Sequence, residues 1–335
     1  MANKPKLAVY WAASCGGCEI ALANLNEKLL EVLEHFDFVF CPCLLDTKYK
    51  DVEAMADGEI FITLFNGAIR NEENEHMAKI LRKKSKILIA YGSCAYEGCI
   101  PGLGNMYHGD EILKAVFIDS PTTENPNKLL PMTKTETKDG VLTLPAFYEK
   151  VKTLSMVTEV DYYIPGCPPE PHKIWEVISF VVEKLSTGQS LPPKGAILGA
   201  GSSTVCIECD RKKENKKIKT FKRIYEIIPN SEICLLEQGI ICMGIATRDG
   251  CGALCPKVNM PCTGCYGPPE DVLDQGAKMI AALGSVLDIG DTKGLSEEEI
   301  NRRINEILNT IPDLVGTFYK YSLPGSILQG KIKGR

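Results

Sequence analysis

The chain has no apolar run long enough to cross a bilayer, so no helical membrane span is expected. It has no excess of positive charge. The 38 Lys and Arg against 43 Asp and Glu give a net charge of −5, which argues against nucleic acid as the main partner. Histidine is scarce: His35, His76, His108 and His172 fall into no ligand spacing and are read as structural or solvent-facing. Trp11 and Trp175, the two tryptophans, are read as core. No secretory or twin-arginine leader is legible: Met1-Ala-Asn-Lys-Pro-Lys runs straight into a strand, and Arg302-Arg303 sits in a late helix. A cytoplasmic location is expected.

Cysteine, by contrast, is abundant. Fifteen are present, an odd number, in a chain expected to sit where disulfides are rare. Thiols in that number point to metal. The 335 residues exceed what one core usually serves, so two domains are expected, 1–187 and 188–335.

The first domain alternates strands and helices, which predicts a doubly wound parallel α/β sheet. Strands are expected at Lys6–Ala12, Phe38–Cys41, Glu59–Phe65, Lys86–Tyr91 and Tyr162–Ile164. Helices are expected at about Cys18–Phe36, at 71–84 and at Lys173–Leu185. Residues 71–84 carry acids in the first turn and bases in the last, as the helix dipole favours. Thr133–Leu144 alternates around Asp139-Gly140 and reads as a surface hairpin.

Three strands end in cysteine: Cys15-Gly-Gly-Cys18, Gly92-Ser-Cys94-Ala and Pro165-Gly-Cys167-Pro-Pro. In a parallel sheet these ends lie on one edge, where ligands bind. A lone C-x-x-C serves equally as a redox dithiol, half a zinc site or half an iron–sulfur site. Four thiols with glycines beside them make a cubane-sized ligand set. Cys99 competes with Cys94 on spacing, and the Gly-Ser-Cys-Ala context favours Cys94. Cys41 and Cys43 are read as packing. Glu19 reads as a capping or solvated residue, with a proton-path role as its rival.

Past Gly188 the pattern changes. Eight cysteines fall in residues 206–265, where convincing strands are few. Chain order divides them into Cys206, Cys209, Cys234, Cys242 and Cys251, Cys255, Cys262, Cys265. Ile218, Phe221, Ile224, Tyr225 and Ile228 suggest an amphipathic helix, and 270–283 and 297–308 two more. The last has a capping box, Ser296 with Glu299, and Pro312 closes it. Lys212, Lys213, Lys216, Lys217, Lys219, Lys222 and Arg223 form a basic run: a solvated helix face by default, a docking patch for an acidic redox partner as the sharper reading. The tail 315–335 has no clear period and suits packing on a partner or on the second domain. Three complete cysteine sets favour iron–sulfur clusters, which pass electrons, over zinc, which does not.

These motifs together resemble the small subunit of nickel–iron hydrogenases. The resemblance implies a flavodoxin-like first domain and an irregular iron–sulfur second domain. It implies three 4Fe-4S clusters: proximal on Cys15, Cys18, Cys94 and Cys167, medial on Cys251, Cys255, Cys262 and Cys265, distal on Cys206, Cys209, Cys234 and Cys242. Many such subunits have histidine where Cys206 stands and proline where Cys255 stands. The all-cysteine set, the run Cys262-Thr-Gly-Cys265-Tyr-Gly-Pro and the stretches Leu45-Asp-Thr-Lys-Tyr, Gly239-Ile-Ile-Cys-Met-Gly, Asp274-Gln-Gly-Ala-Lys-Met-Ile and Val315-Gly-Thr-Phe-Tyr resemble the cytoplasmic, methyl-viologen-reducing group of methanogens and related anaerobes. That group implies a large subunit holding the nickel–iron centre, an iron–sulfur adaptor subunit, heterodisulfide reductase and flavin-based bifurcation to ferredoxin. Three rivals remain: a deazaflavin-reducing hydrogenase subunit, which shares most motifs; a quinone-reductase subunit of the complex I type, a poor match because that family lacks the second cysteine domain and places two cysteines adjacent; and, from another class, a zinc-bound scaffold. The cysteine contexts of a large subunit, Arg-x-Cys-Gly-x-Cys and Asp-Pro-Cys, are lacking, so the chain alone is expected to be inactive.

Overall fold

Leu7, Ala8, Val9 and Tyr10 are all buried, because the first strand, β1 (Lys6–Trp11), is covered on both faces. Its side chains alternate between two cores: Leu7 and Val9 enter one, Ala8 and Tyr10 the other. The computed structural model, which describes residues 4–311 and 313–330, builds a six-stranded sheet around it. Pro312 lies outside the described residues. The other strands are β2 (Asp37–Phe40), β3 (Ile60–Asn66), β4 (Ser85–Tyr91), β5 (Tyr162–Ile164) and β6 (Ala196–Ile197). All pairings in this sheet are parallel and the order is β2-β1-β3-β4-β5-β6. This is the flavodoxin-like doubly wound order, with its switch point between β1 and β3.

One face is covered by helices Gly17–Ala23, Lys28–His35 and Pro171–Thr187, which contribute Leu22, Val32, Ile174 and Val177. Helix Glu72–Lys84 covers the other with Met77, Ala78 and Leu81. Asn71 caps that helix by accepting from Asn74 N–H at 2.9 Å. The expected helix from Cys18 to Phe36 is instead two helices. The chain breaks between them at Asn24-Leu25-Asn26, where Asn26 takes a left-handed φ of 54°. The hairpin forms from Lys134–Thr137 and Gly140–Thr143 and is almost wholly exposed.

The chain divides into two compact units, one of 4–199 with 323–330, the other of 200–322. The end of the tail thus belongs to the first unit: Pro324 packs against Gly98 and Gly102, and Gly325 N–H donates to Glu97 O at 3.3 Å.

Within the second unit, helices Gln275–Val286 and Glu297–Leu308 form, the latter capped by Ser296 accepting from Glu299 N–H at 3.2 Å. The expected helix over 218–228 does not. Ile218 and Phe221 are buried, but Tyr225 and Ile228 are 82% and 96% exposed. The backbone there bonds elsewhere: Ile218 N–H to Val286 O at 2.8 Å and Lys222 N–H to Gly239 O at 2.8 Å. A helical ladder would need those same donors. The unit is otherwise turns, short helical pieces and isolated bridges.

Candidate metal centres

Three strand ends on the carboxyl edge, those of β1, β4 and β5, lead into turns that carry sulfur. After β1 the chain passes Cys15 and turns at Gly16 (φ 82°), beneath the Trp11 ring. Cys18 lies in the first turn of the next helix, held by Tyr91, whose hydroxyl donates to Cys18 O at 2.9 Å. After β4 comes Gly92, then Cys94; after β5, Gly166 and Cys167. Gly92 N–H donates to Ile164 O and Ser93 N–H to Gly166 O, both at 2.8 Å, which stitches these two ends together. A Cβ on Gly92 would overlap the Cys18 sulfur. Backbone and thiol therefore meet here only because residue 92 is glycine.

The four expected proximal residues thus converge, and a fifth joins them. Cys99 Sγ lies 3.7 Å from Cys167 Sγ, and its other sulfur neighbour is Cys94. Burial foremost, with Glu19, Cys167, Cys15 and Cys99 around it, pushes the Cys18 thiol far above its usual range. The hydrogen bond with Cys99, then burial, does the same to Cys167. So many buried thiols cannot ionise together without a compensating cation, and a metal cluster supplies one.

Two readings of neighbouring residues change. Glu19 is not a free solvated carboxylate: both its oxygens accept from Asn66 Nδ2, at 2.7 and 2.8 Å, and burial raises its pKa. Trp11 is 41% exposed rather than core. It lines an apolar cavity of about 460 Å³ together with Cys15, Glu19, Ile20, Leu33 and Leu44. Trp175 packs against the first core. Cys41 is buried there too, but Cys43 is exposed at the cavity wall.

In the second unit Cys206, Cys209, Cys234 and Cys242 line one small cavity. Gly244 lies between two of them: a Cβ there would sit 3.5 Å from Cys206 Sγ and 3.7 Å from Cys242 Sγ. Burial pushes the Cys242 thiol up to about 11 and raises that of Cys206, against which the Lys213 ammonium pulls. Cys262 neighbours Cys265 and is buried; its N–H donates to Cys242 Sγ at 3.3 Å. Gln275, almost fully buried, donates to Gly264 O at 2.9 Å and so fixes the Cys262–Cys265 turn to its helix. Among the described residues, no three His, Cys, Asp or Glu side chains close on a single-ion position.

Two residues that the sequence reading passed over tie the cysteine loops together. Glu208 lies between Cys206 and Cys209 and accepts from Gly250 N–H and Gly252 N–H, both at 3.0 Å, on either side of Cys251. Arg211 donates to Pro256 O at 2.8 and 3.0 Å, beside Cys255, and to Asn230 O at 2.7 Å and Ile233 O at 3.0 Å, before Cys234. Its position two residues past a C-x-x-C was the available signal, hidden by the lysines that follow.

A family model described as NADH ubiquinone oxidoreductase, 20 Kd subunit, matches residues 15–181. Over its full length the chain is similar to the iron-sulfur subunit of the F420-non-reducing hydrogenase of Archaeoglobus profundus, 42% identical over 98% of both chains. The chain belongs to that family of nickel–iron hydrogenase small subunits. The corresponding F420-non-reducing hydrogenase chain of Methanothermobacter marburgensis is 38% identical over 99% of both. A solved NiFeSe hydrogenase chain from Desulfovibrio vulgaris Hildenborough shares the fold, with a TM-score of 0.51 at 16% identity over 79% of this chain and 94% of that one. This hydrogenase subunit is therefore part of an oxidoreductase and serves electron transfer beside a large subunit. No helix among its described residues is long and apolar enough to cross a membrane.

Proposed function

We propose that this chain relays electrons between a nickel–iron centre in its large subunit and an iron–sulfur adaptor subunit that serves heterodisulfide reductase. The observations that support this reading are the convergence of Cys15, Cys18, Cys94 and Cys167 at the sheet's carboxyl edge and of Cys206, Cys209, Cys234 and Cys242 around one cavity of the second unit. Cys15, Cys18, Cys94 and Cys167 would hold one 4Fe-4S cluster. Cys206, Cys209, Cys234 and Cys242 would hold a second, and Cys251, Cys255, Cys262 and Cys265 a third. Bound there, such clusters supply one-electron steps at potentials set by burial and by hydrogen bonds to sulfur.

The chain's own residues set those conditions. Gly92 and Gly17 let backbone approach the sulfurs closely. Cys262 N–H aims at the Cys242 sulfur. Arg211 and Glu208 fix the loops of the second and third sets against one another. The apolar cavity beside Cys15 and Glu19, with exposed Trp11, Ile20, Leu33 and Leu44 at its wall, suits cover by the large subunit. Lys213 at the Cys206 cavity, with the exposed lysines after it, suits an acidic acceptor protein. A cytoplasmic site and coupling to ferredoxin reduction and methanogenesis follow from this assignment as proposals.

The test is hydrogen-dependent viologen reduction by the chain alone and by its complex with the large subunit. The expected result is turnover only in the complex. Robust turnover by the isolated, cluster-loaded chain would overturn the division of labour.

A further inference from the structure

Four sulfurs suffice for the first cluster, yet five meet there. Cys99 is wholly buried, and its backbone holds φ 47° and ψ −149°, a region that favours glycine. Its surroundings fix it in that conformation. Gly98 and Gly102 flank it, and each packs so closely on the Pro324 ring that a Cβ would overlap it. Gly102 N–H donates to Cys99 O at 3.0 Å, and Gly325 N–H donates to Glu97 O at 3.3 Å. The returning tail thus clamps the segment on both sides of Cys99, with Cys99 Sγ 3.7 Å from Cys167 Sγ.

Packing alone does not require this residue, since glycine would adopt the backbone without strain and a small apolar side chain would fill the space. The direction of the sulfur contact is fixed by chemistry. A cysteine that binds iron has lost its proton and can only accept, so in this pair Cys99 is the donor.

We propose that Cys99 is a positioning residue for the first cluster: its S–H donates to the ligating Cys167 sulfur and raises the cluster's reduction potential. Hydrogen bonds to cluster sulfurs withdraw charge and favour the reduced state. The inference rests on the reading that Cys15, Cys18, Cys94 and Cys167 hold iron.

The test compares Cys99→Gly, which suits the backbone and removes the donor, with Cys99→Ser, which keeps one. Both are made in the purified hydrogenase complex, with iron analysis and an EPR-monitored redox titration. The expected result is wild-type iron in both variants. In Cys99→Gly one cluster midpoint moves to more negative potential while the others stay, and in Cys99→Ser it moves less. An unmoved midpoint in Cys99→Gly would overturn the proposal. So would loss of about a third of the iron, which would make Cys99 a ligand. A wild-type complex with no iron beyond the large subunit's own would instead overturn the cluster reading itself, and this inference with it.

Discussion

Gly92 holds a backbone of φ 82° and ψ 162°, open in practice to glycine alone, with the Cys18 sulfur where a Cβ would go. Gly92→Ala is expected to cost the complex about a third of its iron, from the first site only, which metal analysis and EPR would show; full iron would mean that the Cys18 turn can give way. Arg211 acts at the same scale in the second unit. Its planar fork reaches the carbonyls of Pro256, Asn230 and Ile233 at once. Arg211→Lys keeps the charge but not the fork. It is expected to destabilise the second unit by about 2–3 kcal/mol, measured as earlier loss of the Cys206-site EPR signal on heating. Single residues of this kind were the least legible in the sequence. The cysteines announce themselves by spacing, but nothing in the string shows that Arg211 reaches three carbonyls, or that Cys99 turns its sulfur toward Cys167.

Among elements, the five expected strands were legible because each is a short apolar run, closed in β2 to β5 by a glycine or proline within two residues. Residues 218–228 show the opposite case. Their apolar spacing matches a helix, yet the segment forms only a short 3-10 turn at Ile224–Glu226, with Ile218 and Phe221 buried while Tyr225 and Ile228 remain exposed. A 3–4 residue period arises by chance in a loop whose backbone groups find distant partners. One junction carries a pH signature. Asp161, 2% exposed, pairs with Arg82 at the end of helix Glu72–Lys84 and with Lys194, 2.8 Å away, and accepts from Leu88 N–H of β4 at 2.8 Å. Burial would raise its pKa, but the pairs with Arg82 and Lys194 and the Leu88 N–H together hold it below the usual carboxylate value. Its contribution to stability is therefore present above the unfolded value of about 3.9 and is lost as pH falls through the folded one. Asp161→Asn is expected to cost the first unit about 3 kcal/mol near neutral pH and to flatten its acid-unfolding profile below about pH 4. A denaturation midpoint unchanged at pH 7 would contradict this.

Across the whole molecule the two units differ in what holds them. The first has a parallel sheet with a core on each face; the second has short turns and cysteine loops around its cavity. Iron removal by a chelator is expected to leave 4–199 protease-resistant while 200–322 is cut, because metal binding there contributes the folding free energy that a core otherwise would. Equal resistance of both would contradict that view. A doubly wound parallel sheet could be read from alternating strands and helices, but its sixth strand, Ala196–Ile197, could not, nor could the return of 323–330 to the first unit: glycines at 98 and 102 accept Pro324 by an absence of side chain that no pattern encodes.

Whether the three cysteine sets hold redox clusters is decided by iron, acid-labile sulfide and zinc analysis of the anaerobically purified complex, with EPR of the reduced form and the large subunit's own iron subtracted. About twelve irons are expected on this chain, about four at each site, with matching sulfide and interacting cluster signals. Zinc in place of iron at these cysteines, with no such signals, would contradict the cluster reading and leave the sets as structural staples.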